Sequence, residues 1–202
     1  MRLKLLSWMA TALLAAVTVP AGAAMVLKMN LSQLTDRADT IFRGHVLSAE
    51  PGKISIGGGT VPTVTYRLRV DEPFKGAFDS KENSSPEVAI TMLGTFKASV
   101  RSGNQVRLSS SLPEVPQLRV GEDYVLFTTA PGKSGLRAPV GMGQGSFRIY
   151  AGANKTELAV NELNNLGLFD GAAAPARRAA AASQGPLTYT RLAGAILAEL
   201  GK

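Results

Sequence analysis

The stretch Val64–Gly76, VTYRLRVDEPFKG, decides the fold class. Along it Tyr66, Leu68 and Val70 fall on one side of an extended chain, and Thr65, Arg67, Arg69 and Asp71 fall on the other. A period of two marks a strand with one buried and one wet face. Pro73 and Gly76 end it, because proline cannot donate to a ladder and glycine breaks the pattern. Upstream, TIFRGHVLSAE (40–50) sets Phe42, Val46 and Ser48 against Ile41, Arg43, His45 and Leu47, with Gly44 marking a bend or bulge. Between these strands PGKISIGGGTVP (51–62) reads as an irregular loop or a loose hairpin.

Downstream, EVAITML (87–93) supplies a third strand. The region from Gly94 to Pro116 is ambiguous, with QVRLSS (105–110) a candidate edge strand. Tyr124–Thr129 is a β-rich run between turns at Gly121–Asp123 and Pro131-Gly132. SFRIY (146–150) and ELAVN (157–161) read as a closing hairpin about a turn at Gly152–Lys155. Five to seven short strands with no helices of crossover length argue against a parallel α/β sheet. They predict a mainly β domain, a small antiparallel barrel or sandwich.

Helical signals lie at the two ends. Asn30 is placed to cap a short helix carrying Leu31 and Leu34 on one face. From Leu187 onward Tyr189, Leu192, Ile196 and Leu200 form an apolar stripe at helical spacing. The expected role of that stripe is docking on the β domain, the alternative being a partner-binding helix. Ahead of it, residues 170–186 form an Ala- and Pro-rich linker. The first 24 residues combine basic Arg2 and Lys4, an apolar stretch from Leu5 to Val19, and a small-residue end after Pro20. This is the three-part pattern of a secretory signal peptide, cut after Ala23 or Ala24. The stretch is too short to span a bilayer, so the mature chain is expected to be secreted or periplasmic and not membrane-spanning. The expected organisation is therefore a leader (1–24), a β domain (25–169), a linker (170–186) and a helix (187–202).

Composition narrows the chemistry. The 202 residues include 22 Lys or Arg, 15 Asp or Glu, one His and no Cys. Without Cys there is no thiol nucleophile, disulfide or Cys-ligated metal, and one His cannot build a two-His metal site. No cofactor is expected. At 45% hydrophobic and 18% charged residues the chain can bury a core. The leader holds only two of the basic residues, so the mature chain stays mildly basic.

Ala38-Asp39 with Ile41, then Tyr66, then Phe74-Lys75-Gly76, then Gly121-Glu122 with Tyr124 follow one another in a familiar order. In this order and spacing the chain resembles the netrin-module and tissue-inhibitor-of-metalloproteinase type of OB-fold barrel, over residues 30 to 150. The resemblance implies a small closed antiparallel OB-fold-like barrel flanked by a short N-terminal and a C-terminal helix. It does not carry the inhibitor's chemistry, which uses an N-terminal Cys to chelate the protease zinc.

Catalytic constellations are sparse. His45, the one imidazole, stands mid-strand and no G-x-S-x-G elbow accompanies it. Carboxylate pairs at Asp71-Glu72 and Glu122-Asp123, and Lys97 with Ser99, Ser102 and Ser109–Ser111, are the other sets a small hydrolase would draw on. GMGQGS (141–146) lacks the phosphate-loop spacing and leads into a strand, which makes it a tight turn or bulge. The remaining feature is a basic strand face: Arg43 and His45 on one strand and Arg67 and Arg69 on the next all lie opposite the apolar sets. If both faces point outward, the four form a shallow anion-attracting surface. The expected function is thus an exported, non-catalytic binding module for a protein partner or an anionic surface, the alternative being a small extracytoplasmic hydrolase. Nucleic acid is not expected, because Tyr66 belongs to the inward set and the outward face offers no stacking aromatic.

Trp8 is the only tryptophan and lies in the leader. Purified exported protein should therefore show tyrosine fluorescence alone, and a tryptophan emission band would place the leader still on the chain.

Overall fold

The computed structural model describes residues 27–79, 84–94, 96–102, 105–110, 116–171 and 185–201, with side chains left aside for 96–110. Two helices and nine strands are present among them: α1 (Leu31–Arg37), β1 (Thr40–Ile56), β2 (Gly59–Lys75), β3 (Glu87–Leu93), β4 (Phe96–Ser102), β5 (Gln105–Ser110), β6 (Asp123–Thr128), β7 (Ser146–Ala151), β8 (Glu157–Val160), β9 (Leu187–Thr188) and α2 (Tyr189–Glu199). Seven strands pair antiparallel in the order β3-β2-β1-β6-β7-β8-β9, and β4 and β5 make a separate ladder. Residues 1–24, expected to form a leader, and most of residues 170–186, expected to form a linker, lie outside the described residues, and none of the helices described is long and apolar enough to cross a membrane.

The expected closed barrel is not what forms. The seven-stranded sheet ends at β3 on one side and β9 on the other, with no strand pairing between them. The segment after β6, which faces β3, carries Pro131, Gly132, Gly135 and Pro139 and forms no strand long enough to seal the gap. It makes a single bridge with β6, Thr128 to Pro139, and one backbone hydrogen bond to β3, from Arg137 N–H to the Thr91 carbonyl at 2.9 Å.

β1 and β2 are 17 residues each, and the stretch read as irregular is a regular two-stranded arm. Its turn is Gly57-Gly58, both at positive φ (58° and 80°), the two-residue geometry that matches the twist of paired strands. Closer to the sheet, three residues have no opposite number: Leu47 on β1, and Asp71 and Phe74 on β2. These bulges shift which face later residues take. Val70 and Phe74, an even distance apart, accordingly lie in different cores.

Those two cores occupy opposite faces of the sheet. Inside the curl, Phe42, Val46, Tyr66, Leu68, Val70, Ile90, Met92, Tyr124 and Leu126 pack with Leu118, so the inward assignment of Tyr66 and its neighbours holds. Gly44 is required there: a Cβ would stand 2.8 Å from the Arg69 carbonyl oxygen and 2.9 Å from the Phe42 ring. On the other face, Ile41, Val125, Phe127, Phe147, Ile149 and Ala159 are covered by α1 and α2. The outer face of β1 is thus only partly solvated, because Ile41, in the same alternating set as Arg43 and His45, is fully buried beneath the helices.

Each helix has a local reason to start where it does. Asn30 and Gln33 form a reciprocal capping box at α1, and Thr188 accepts from the Arg191 N–H at α2. α2 docks through Leu192, Ala193 and Ile196, as its stripe predicts. Burying Leu192 and Ile196 contributes on the order of 1.5–3 kcal/mol each.

Candidate functional site

The helices cover only part of their face. Running away from them, β1 passes from Ile41 to Arg43 to His45, β6 from Phe127 to Val125 to Asp123, and β8 from Ala159 to Glu157. In each strand the apolar residues sit under the helices and the charged ones emerge beyond. β6 begins at Asp123, while β1 and β7 run on past it, and the gap between them is an open cleft of about 450 Å³. His45, Arg69, Glu122, Asp123, Arg148, Tyr150 and Glu157 line it.

Arg43 stands at the boundary. Its Nη1 and Nη2 donate to the two oxygens of Glu157 at 2.8 and 2.6 Å, and Nη2 also donates to Asp123 Oδ2 at 2.9 Å. The guanidinium lies 4.5 Å from the centre of the Tyr189 ring. The Glu157 contact, opposed by burial and aided by Asp123, raises its already high pKa, so it is a permanent cation. Tyr189 in turn donates its hydroxyl to Glu72. Burial and that carboxylate push the Tyr189 phenol well above its ordinary range, which keeps it a neutral donor.

His45 Nδ1 lies 2.6 Å from Asp123 Oδ1. Burial pushes the Asp123 carboxyl up, but the hydrogen bonds from His45 and Arg43 and their charges outweigh it and leave the group below its ordinary value. Asp123 is therefore an ionised acceptor at neutral pH, and Nδ1 must be the donor. Arg69 Nε donates to Asp71 at 2.6 Å, and Arg67 lies 3.6 Å from Glu87 in a pair that is more than half exposed on both sides. Across the cleft, Glu122 accepts from the Tyr124 hydroxyl at 2.9 Å and lies 3.8 Å from Arg148.

The four residues singled out from the sequence do share one side of the sheet: His45 and Arg69 are direct cross-strand partners, as are Arg43 with Glu72 and Arg67 with Ser48. Each is also matched to a carboxylate. Arg43 is an internal anchor, His45 and Arg69 open into the cleft, and Arg67 is outside its lining. Sequence reasoning missed Asp123 as the partner of His45, Glu157 as the partner of Arg43, and Tyr189 as more than an apolar helix residue. The signal for Asp123 was its place at the head of the Tyr124–Thr129 run. Nothing local marks Glu157, since its pairing with β1 spans two intervening strands.

The other candidate sets fare differently. Asp71, Glu72, Glu122 and Asp123 are each hydrogen-bonded to a different side chain. The Ser and Lys positions from 97 to 111 fall outside the described side chains. In the Gly141–Gly145 turn, which is 3-10 helical, buried Gln144 binds the Met29 N–H and the Leu27 carbonyl and so fastens the N-terminal segment. Among the described residues, His, Cys, Asp and Glu form no metal-holding group.

Replacing Asp123 by Ala should lower stability at pH 7 by about 1.5–3 kcal/mol, the scale of hydrogen bonds to a charged group. Because its folded pKa lies below the unfolded one, this contribution is present above about pH 4 and is lost as pH falls through the folded value. Denaturant melts of both proteins from pH 7 to pH 2 should converge at the acid end; a gap that widens with acid would contradict the assignment.

No protein-family profile matches the chain and no curated protein matches it, so the geometry carries the functional reading.

Proposed function

We propose that the chain is an exported, non-catalytic docking module whose cleft receives a protein partner of mixed charge. The observation that carries this reading is the pairing of the cationic residues around the cleft. Arg43 meets Glu157 and Asp123, His45 meets Asp123, Arg69 meets Asp71 and Arg148 lies 3.8 Å from Glu122. An extended polyanion, whether membrane, polysaccharide or nucleic acid, gains no net attraction from such a set. A protein surface carrying both signs can meet each group in turn, and this gives specificity and orientation. The leader pattern supports export to the periplasm or beyond, and the absence of cysteine suits a fold that stands on its two cores in an oxidising compartment. The curled β1-β2-β3-β6 portion, with its apolar interior, supports a netrin-like OB barrel left open at one seam.

A second reading is favoured by one observation. A His45–Asp123 dyad in an open cleft has the arrangement of an oriented general base, which would serve a small hydrolase. The dyad lacks a described serine or cysteine beside it, so water would be the nucleophile.

One set of experiments separates these readings. A photo-crosslinking residue at Tyr150, on the cleft, should yield a discrete protein adduct in exporting cells, and one at exposed Lys133 should not. Equal adducts at both positions would overturn the docking reading. Ester hydrolysis abolished by His45→Ala would replace it with the catalytic one.

A further inference from the structure

Hydrogen-bonding capacity within the cleft is unevenly spent. Both oxygens of Asp123 are engaged, by His45 and Arg43, and both oxygens of Glu157 are engaged by Arg43. The donors are not used up. Arg69 spends Nε on Asp71, and among the described residues its two terminal nitrogens carry no hydrogen bond. His45 spends Nδ1 on Asp123 and leaves Nε2 without a partner among them. These two residues are directly opposite each other on β1 and β2, and both open into the cleft. Arg69 is 45% exposed and His45 29% exposed, so water can satisfy these donors, and an outside acceptor that meets both at once has only that water to displace.

We infer that Arg69 and His45 together bind a single carboxylate presented by the partner. This rests on the docking reading and specifies the group that anchors it. The planar fork of Arg69 suits a carboxylate, and its bond to Asp71 holds the fork in place. The second carboxylate oxygen takes a hydrogen bond from His45 Nε2, which requires that nitrogen to carry a proton. The ring then lies between Asp123, on Nδ1, and the incoming group, on Nε2.

The charged groups around that ring are Arg43 from β1, Arg69 and Asp71 from β2, Glu122 and Asp123 at the head of β6, Arg148 from β7 and Glu157 from β8. Because Nδ1 already donates to Asp123, a proton on Nε2 makes the ring cationic, so lower pH favours the carboxylate-bound form by mass action.

His45 is the only histidine, so its ring gives one assignable Hε1 resonance in the whole chain. Acetate titrated into the intact mature protein at constant ionic strength should move that resonance saturably, and more tightly at pH 6 than at pH 8. Arg69→Gln should weaken the response about tenfold, the worth of one charge-assisted contact. Arg67→Gln removes the same charge from the same strand outside the cleft and should leave the response intact. No saturable shift, or equal loss in the two variants, overturns the carboxylate site. If the Tyr150 crosslink forms but acetate leaves His45 unmoved, the anchoring group is wrong and docking stands. If acetate binds as described but no adduct forms, the anion site stands and the docking reading falls.

Discussion

The Arg43 guanidinium is the junction on which the rest of the molecule turns. Its two terminal nitrogens meet Glu157 on β8 and Asp123 on β6, and its flat face meets Tyr189 at the start of α2. One side chain on β1 thus ties together strands that lie one and three places away and the helix above them. Lysine could not replace it, since the contact uses a planar fork and a stacking face at once. The Arg43 side chain is only 16% exposed, and its bond to Asp123 is better shielded from screening than the one to Glu157, which is 45% exposed.

From that junction the sheet divides into two regions. On one side of Arg43, α1 and α2 seal an apolar layer running from Ile41 to Phe127 and Phe147. On the other, the same strands carry His45, Asp123 and Glu157 into the open. The cleft is thus the exposed half of a face whose other half is core. Several groups at its edge are held by the fold's own anchoring contacts, so a partner docking as proposed would meet side chains with less rotamer entropy left to lose.

Much of this was legible in the chain. The alternation of Tyr66, Leu68 and Val70 gave the inner face of β2, and the stripe from Tyr189 to Leu200 gave a docked helix. What alternation could not convey was the effect of the bulges at Leu47, Asp71 and Phe74, since a bulge depends on the partner strand's register. The glycines from 57 to 59 and Pro51 and Pro62 suggested irregularity, yet two positive-φ glycines make the tightest kind of hairpin and a two-stranded arm leaves proline without a ladder partner on one edge. The basic face was visible, and of its neutralising carboxylates only Asp71, on the same side of the strand as Arg69, was visible with it. Asp71 and Glu87 belong to β2 and its neighbour β3, but Glu157 reaches Arg43 only after β6 and β7 have intervened, a relation that sequence spacing does not encode. The missing closure has the same origin, since it depends on whether β3 meets a strand or a proline-interrupted loop.

Amide hydrogen exchange on Arg43→Lys beside the parent protein tests the junction most directly. Exchange should speed up in α2 across Leu192–Ile196 and in β8, while the β2–β3 ladder, whose apolar core does not touch Arg43, keeps its protection. Unchanged protection in α2, or a uniform loss across the whole sheet, would show that the helix and the cleft are not held by this residue.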